Sequence, residues 1–287
     1  LPVNSGAFAQ HAEAVRDGFL AAARVHGQTT LPIRVHAAGD DPRQVTAAYV
    51  QALNAGARLV VGPLTRNGVT ALAASGQVSV PTLALNIPEA GTRLPANLYT
   101  LSLQIETEAR QAAQLAFREG RRSAFTVYAD TPLLHRVHQA FIAEFTRLGG
   151  RHVAEYGFAA DPADLGRIKQ AVALGVADMA FLALDFQRAR LVRPYLDPLA
   201  LFATSQIHSG SSGPLTGFDL AGVRFPDMPW LLQPDHPAVM IYPRQDYRDA
   251  PDLDRLYALG IDAFRISQDM LNGNPSPRLD GVTGRIT

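Results

Sequence analysis

With 287 residues, 47% of them hydrophobic, the chain can bury enough core for two compact units, which argues against a disordered protein. Its 26 basic and 26 acidic residues cancel, so no long-range field favours nucleic acid or anionic lipid as principal partner. The absence of cysteine excludes disulfides, thiolate metal sites and cysteine nucleophiles, and no apolar run reaches membrane-spanning length.

In chain order, residues 1–6 read as the end of a strand leading into a helix whose apolar series is Phe8, Ala12, Val15, Phe19 and Ala22. Leu31, Ile33 and Val35 alternate as in a strand. Asp41-Pro42, with Gln44 behind them, then start a helix that runs to about Asn54. Leu59-Val60-Val61 is a short buried strand ending in Gly62-Pro63, a helix through Val69 and Leu72 follows, and residues 80–86 form the next strand. Tyr99 to Ser102 repeat the unit, with a helix over 105–118 and a strand over 124–128. Thr131-Pro132 open a helix striped by Leu134, Val137, Phe141, Phe145 and Leu148, and Asp161-Pro162 repeat the cap-then-proline start after a strand over 153–158. Strands over 179–184 and 199–203 flank a further helix, and a long helix over 252–271 precedes a hairpin-like stretch, 279–287.

Short apolar strands alternating with amphipathic helices predict an α/β fold with parallel sheets covered on both faces, and their number predicts two Rossmann-like lobes. Natural cuts fall near Leu101-Ser102 and in the aperiodic stretch 205–217. A first lobe interrupted by the second then comprises residues 1–102 and 219–270, and the second lobe 103–218 and 271–287.

Ligands in open α/β sheets sit beyond the carboxyl ends of the strands, where amides and helix N-termini converge. The candidate binding positions are therefore Ser5, Gly6, Gly62, Pro63, Asn86, Ser102, Asp130, Asp185, Thr204 and Ser205. Each is also placed to cap a helix and nothing more. No metal is expected: His135 and His138 share a helix near Asp130 and Asp185, but without a third ligand nearby in sequence they read as a solvated pair. Gly210-Ser211-Ser212-Gly213 lacks the spacing of a nucleophile elbow, and no Walker loop or dinucleotide fingerprint follows a strand, so no catalytic residue or cofactor is assigned. Trp230, after Pro229, reads as a packed loop residue, with an exposed protein-binding anchor as the alternative.

Val61-Gly62-Pro63-Leu64-Thr65 and Leu83-Ala84-Leu85-Asn86-Ile87-Pro88-Glu89 resemble two strand-end motifs of the LppC/LpoA family of outer-membrane lipoproteins. Further matches follow in order: Leu101-Ser102 with residues 106–109, the stretch 137–150, Phe218-Asp219-Leu220, Asp227-Met228-Pro229, and residues 255–263. The resemblance implies a type I periplasmic-binding-protein architecture of Venus-flytrap form, with the candidate residues in an inter-lobe cleft. It also implies a non-enzymatic regulator that binds and activates a peptidoglycan synthase, a penicillin-binding protein, from a lipid anchor on the periplasmic side of the outer membrane. Irregular segments 205–217 and 226–236 are the expected contact surfaces. The wider fold class implies the alternative, a periplasmic receptor for an amino acid or similar small ligand. Residues 158–177 are compact, leaving no room for the long second-lobe insertion of better-known members, and the helical-repeat domain those members carry lies outside this sequence.

Overall fold

A computed structural model describes residues 1–27, 32–210, 219–247, 250–274 and 277–286. The chain divides into two compact units, one of residues 1–103 and 228–287 and the other of residues 104–227.

The first unit holds α1 (Ala9–Val25), α2 (Pro42–Asn54), β1 (Val60–Val61), α3 (Arg66–Ala74), β2 (Thr82–Ala84) and β3 (Leu98–Thr100). The strands form a parallel sheet in the order β1-β2-β3. The expected caps are in place: Asp41 accepts from the Arg43 N–H at 2.8 Å ahead of Pro42, and Thr65 accepts from Gly68 at the start of α3. These helix starts fix where the chain leaves each strand.

In the second unit lie α4 (Ile105–Arg118), β4 (Ser123–Tyr128), α5 (Pro132–Arg147), β5 (Arg151–Gly157), α6 (Pro162–Ala173), β6 (Met179–Ala183), α7 (Phe186–Val192), β7 (Ala200–Ala203) and β8 (Val223–Arg224). In the resumed first unit come α8 (Pro229–Leu232), α9 (Pro237–Met240), α10 (Pro251–Leu271), β9 (Leu279–Asp280) and β10 (Arg285–Ile286).

Helices α1 and α10 are the main packing pair of the first unit, with Val15, Leu259, Ala263 and Ile266 among the residues they bury together. Two glycines set their closeness. A Cβ on Gly18 would collide with the Tyr257 carbonyl, and one on Gly260 with the Val15 carbonyl, so each helix lays backbone against the other's glycine.

The five strands of the second unit are all parallel, in the order β5-β4-β6-β7-β8. Alternation along β4 sends Phe125 and Val127 to a core with Ile168, Ala189 and Val192 from α6 and α7. Ala124 faces the other core, with Ala109 to Ala116 of α4 and Val137, Phe141 and Phe145 of α5. Phe141 stacks on Phe181 at 4.0 Å between centroids, and full burial of such a ring stabilises by about 1.5–3 kcal/mol. Helices on both faces of a parallel sheet are the layering the sequence pattern called for.

Several expectations need correction. Residues 32–35 form no strand, and Ile33 and Val35 stand exposed; Leu31 lies outside the described residues. The unit boundary lies at residues 227 and 228 instead of 218 and 219, because residues 223–224 pair with β7 at the edge of the second sheet. Residues 211–218, including most of the aperiodic stretch, lie outside the described residues. The tail, 271–287, belongs with the first unit, not the second. The cause is Asp262 on α10, fully buried, whose carboxylate accepts from the Val282 N–H (3.1 Å), the Thr283 N–H (2.8 Å) and the Thr283 hydroxyl (2.7 Å). Trp230 donates its backbone N–H to Val282 in the same turn. Strands β9 and β10 thus form a small antiparallel hairpin tied to α10.

Candidate functional site

Apart from Ser5 and Gly6, which precede α1 and follow no strand among the described residues although residues 1–6 read as a strand end, the predicted positions fall at the carboxyl ends of strands. In the first unit, Gly62 and Pro63 follow β1, Asn86 follows β2 and Ser102 follows β3, so these four share one end of the sheet. Gly62 takes φ +118°, a left-handed value that a side chain resists, while donating its N–H to Leu83 at 2.8 Å. Asn86 is used at both ends of its amide: Nδ2 donates to the Leu64 carbonyl at 3.0 Å and Oδ1 accepts from Ile87 at 2.9 Å. Ser5 is buried, and its hydroxyl accepts from the N–H groups of Ala7 (3.1 Å) and Phe8 (2.7 Å) before α1. Gly6 is exposed with open space around it, and Ser102 is half-buried.

In the second unit, Asp130 follows β4, Asp185 follows β6, and Thr204 with Ser205 follow β7, three adjacent strands. Asp185 caps α7 by accepting from the Arg188 N–H at 2.9 Å and pairs with the Arg188 guanidinium. Asp130 projects into solvent, 92% exposed, against His135 Nε2 at 2.8 Å. Thr204 and Ser205 are buried, and the Thr204 hydroxyl has no partner among the described residues. Sequence reasoning missed the group that engages Ser205: Glu108 on α4 accepts from its N–H (2.8 Å) and its hydroxyl (3.0 Å). The separation of 97 residues left no local signal for that contact.

The two helical histidines do not form a solvated pair. His135 stays at the surface with Asp130, whereas His138 is 1% exposed and stacks on Tyr128 at 4.4 Å. His138 stands one helical turn from both Leu134 and Phe141 and so lies within the buried stripe, while His135, about 60° further round, falls on its exposed margin. There it meets a second imidazole. The Thr126 hydroxyl lies 2.8 Å from His138 Nε2 and 2.9 Å from His152 Nε2, able to donate to one ring and accept from the other.

A register shift in β5 gathers this group. Ala124 pairs with His152 and Thr126 with Glu155, so a bulge puts His152 and Glu155 on one face where plain alternation would part them. Ligand atoms of His138, His152 and Glu155 lie within 4.8 Å of one another, close enough for a metal ion in principle. His138 Nδ1, which a ligating ring would use to donate a hydrogen bond that fixes its orientation, has no partner among the described residues. Burial, with smaller contributions from the neighbouring His152 and His135 rings, lowers the His138 pKa from 6.5 to about 4, so the ring is neutral at pH 7. Burial lowers His152 as well, against the pull of Glu155. The cluster is a hydroxyl-bridged polar network inside the second unit.

Trp230 is a packed residue and not an exposed anchor. It is fully buried, donates Nε1–H to Asp254 at 2.6 Å, and carries the Arg244 guanidinium over its ring at 3.8 Å.

These strand ends, in two parallel-sheet units, are those of type I periplasmic-binding-protein-like folds. A solved structure from Chromobacterium violaceum, described as a "putative branched-chain amino acid ABC transporter", is 39% identical, with 98% of this chain and 90% of that one covered at a TM-score of 0.83. The LpoA C-domain from Haemophilus influenzae, described as a regulator of PBP1A, matches at 23% identity and a TM-score of 0.78 over 99% of this chain and 89% of that one. Among curated proteins, the penicillin-binding protein activator LpoA of Edwardsiella piscicida is 29% identical over 91% of this chain and 43% of its own length. The chain therefore spans less than half the length of the curated relatives it matches. A family model described as "LppC putative lipoprotein" matches residues 1–287, and the chain belongs to that family.

Proposed function

We propose that this chain is the non-catalytic regulatory domain of a lipoprotein held at the periplasmic side of the outer membrane, and that the whole protein binds a penicillin-binding protein and raises its peptidoglycan-synthase activity. The observation that carries this reading is the whole-chain match to the LppC family, together with curated relatives named as penicillin-binding protein activators. The site geometry supports it. Four of the candidate polar positions, Ser5, Asn86, Asp185 and Ser205, are already engaged by this chain's own backbone, Arg188 or Glu108. Binding alone can activate a synthase only if the active state is bound more tightly than the inactive one, and a preference of about 1–3 kcal/mol gives a useful effect.

The test mixes the purified full-length protein with the host's purified penicillin-binding proteins and follows glycan polymerisation and cross-linking. A several-fold rise with one of them is expected. No binding and no rate change with any of them would overturn the reading. The second reading, a receptor for an amino acid, draws on the 39% identical Chromobacterium violaceum structure and its described relation to branched-chain amino acid transport. Calorimetric titration with leucine, isoleucine and valine separates the two, since the regulatory reading expects no heat of binding.

A further inference from the structure

Two imidazoles and a carboxylate converge on one point in the second unit. His138 reaches it from α5, and His152 and Glu155 reach it from β5, the edge strand of the sheet. The Thr126 hydroxyl shows where the rings aim, since Nε2 of His138 and Nε2 of His152 stand 2.8 and 2.9 Å from that one oxygen. A Glu155 carboxylate oxygen lies 3.6 Å from His138 Nε2. A zinc ion with tetrahedral bonds of about 2.0–2.2 Å holds its ligand atoms about 3.3–3.5 Å apart. The His138–Glu155 pair is already near that spacing, and the other pairs, within 4.8 Å, close by small side-chain rotations.

Several of these placements carry a cost that the hydroxyl bridge alone does not offset. His138 takes a fully buried position between Leu134 and Phe141, where an aliphatic side chain would bring no polar atom, and its Nδ1 finds no partner among the described residues. Strand β5 gives up regular pairing at its bulge, and what it gains is His152 and Glu155 turned to the same face. The His138 ring is held all the same. It stacks on Tyr128 with 17° between the planes, which orients it where a hydrogen bond to Nδ1 does not. Glu155, with its side chain 50% exposed, opens the cluster to solvent and gives an ion its way in.

We propose that His138, His152 and Glu155 bind a divalent transition-metal ion of the zinc type, with water in the fourth position, and that the ion pins α5 to the edge strand β5. Two imidazoles with one carboxylate suit zinc, whereas magnesium and calcium call for oxygen ligands throughout. The histidine pair legible in the sequence, His135 with His138, is not the ligand pair, because His135 turns to the surface and meets Asp130. The missing bond at Nδ1 weakens such a site by about 10–100-fold against one whose rings are all supported, which favours an ion that loads and leaves over a permanent one. This proposal does not rest on the regulatory reading.

The test uses the 287-residue protein without a histidine tag, stripped by a chelator and titrated with zinc against a chromophoric competitor, and then with magnesium. Binding of one zinc per chain is expected. Affinity should fall at least about 10-fold in His152→Gln and in Glu155→Gln and stay unchanged in His135→Gln. Glu155→Gln is the safer variant for folding, since that side chain is half in solvent, and circular dichroism checks both. Saturating zinc should also raise the melting temperature of the parent by a few degrees and leave that of Glu155→Gln in place. No zinc binding, equal binding of magnesium, or full affinity in both His152→Gln and Glu155→Gln overturns the proposal. Affinity lost in His135→Gln also overturns it and assigns the metal to the surface pair with Asp130. A melting temperature raised equally in the parent and in Glu155→Gln counts against the pinning.

Discussion

Gly18 and Gly260 let α1 and α10 touch backbone to backbone, which reverses the usual sign of a glycine substitution in a helix. By propensity alone, alanine would stabilise each helix by about 1 kcal/mol. Here the new methyl meets a carbonyl that cannot step aside, so Gly260→Ala is expected to destabilise by about 2–3 kcal/mol in urea denaturation. Gly166 in α6, exposed with nothing within 4 Å of the site of its Cβ, is the control, and Gly166→Ala should stabilise by about 0.5–1 kcal/mol. Buried His138 gives a second expectation at this scale. Its folded-state pKa lies below the ordinary 6.5, so the folded protein binds fewer protons than the unfolded one. The associated stability is fully present above pH 6.5 and is lost as pH falls towards about 4, by about 3 kcal/mol in all. The imidazole resonances of His138 followed by NMR should stay those of a neutral ring down to about pH 5; titration near 6.5 would show that the burial argument fails.

Among the elements, the C-terminal hairpin depends on one carboxylate. Burial pushes the Asp262 pKa up, while the Thr283 and Val282 donors and nearby Arg265 pull it back. Asp262→Ala strands three donors in or beside the core, and a loss of about 3 kcal/mol is expected, with proteolysis concentrated in residues 277–286. If cleavage there is no faster than in the parent, the tail is held by something else. The sequence carried no sign of this anchor, because an aspartate twelve residues into a helix looks like an exposed face until its partners, 20 residues on, are known. Local signals did better. Asp41-Pro42, Thr131-Pro132 and Asp161-Pro162 each start a helix where the cap rule put them, because capping is decided within three residues. The alternation of Ile33 and Val35 reads as a strand, but no strand forms there, because a ladder needs a neighbour and pattern alone cannot provide one.

For the whole molecule, the parallel layering and the two units were legible, since alternating strands and helices leave few other arrangements. The strand-end residues were legible as positions, because they follow from topology. What each of them does was not. Ser205 answers to Glu108 on another element, and the His138–Thr126–His152 network forms only because a bulge turns His152 and Glu155 the same way. The split of the first unit has a consequence for the chain during its synthesis. Residues 104–227 form a unit from one continuous stretch and can fold as soon as they emerge, whereas α1 waits for α10, delivered more than 200 residues later. Expressed alone, residues 104–227 should melt cooperatively and residues 1–103 should not. Until α10 is delivered, the apolar face of α1 stays unpartnered, so the demand for a holding chaperone falls on the segment ahead of residues 104–227 and not on that unit.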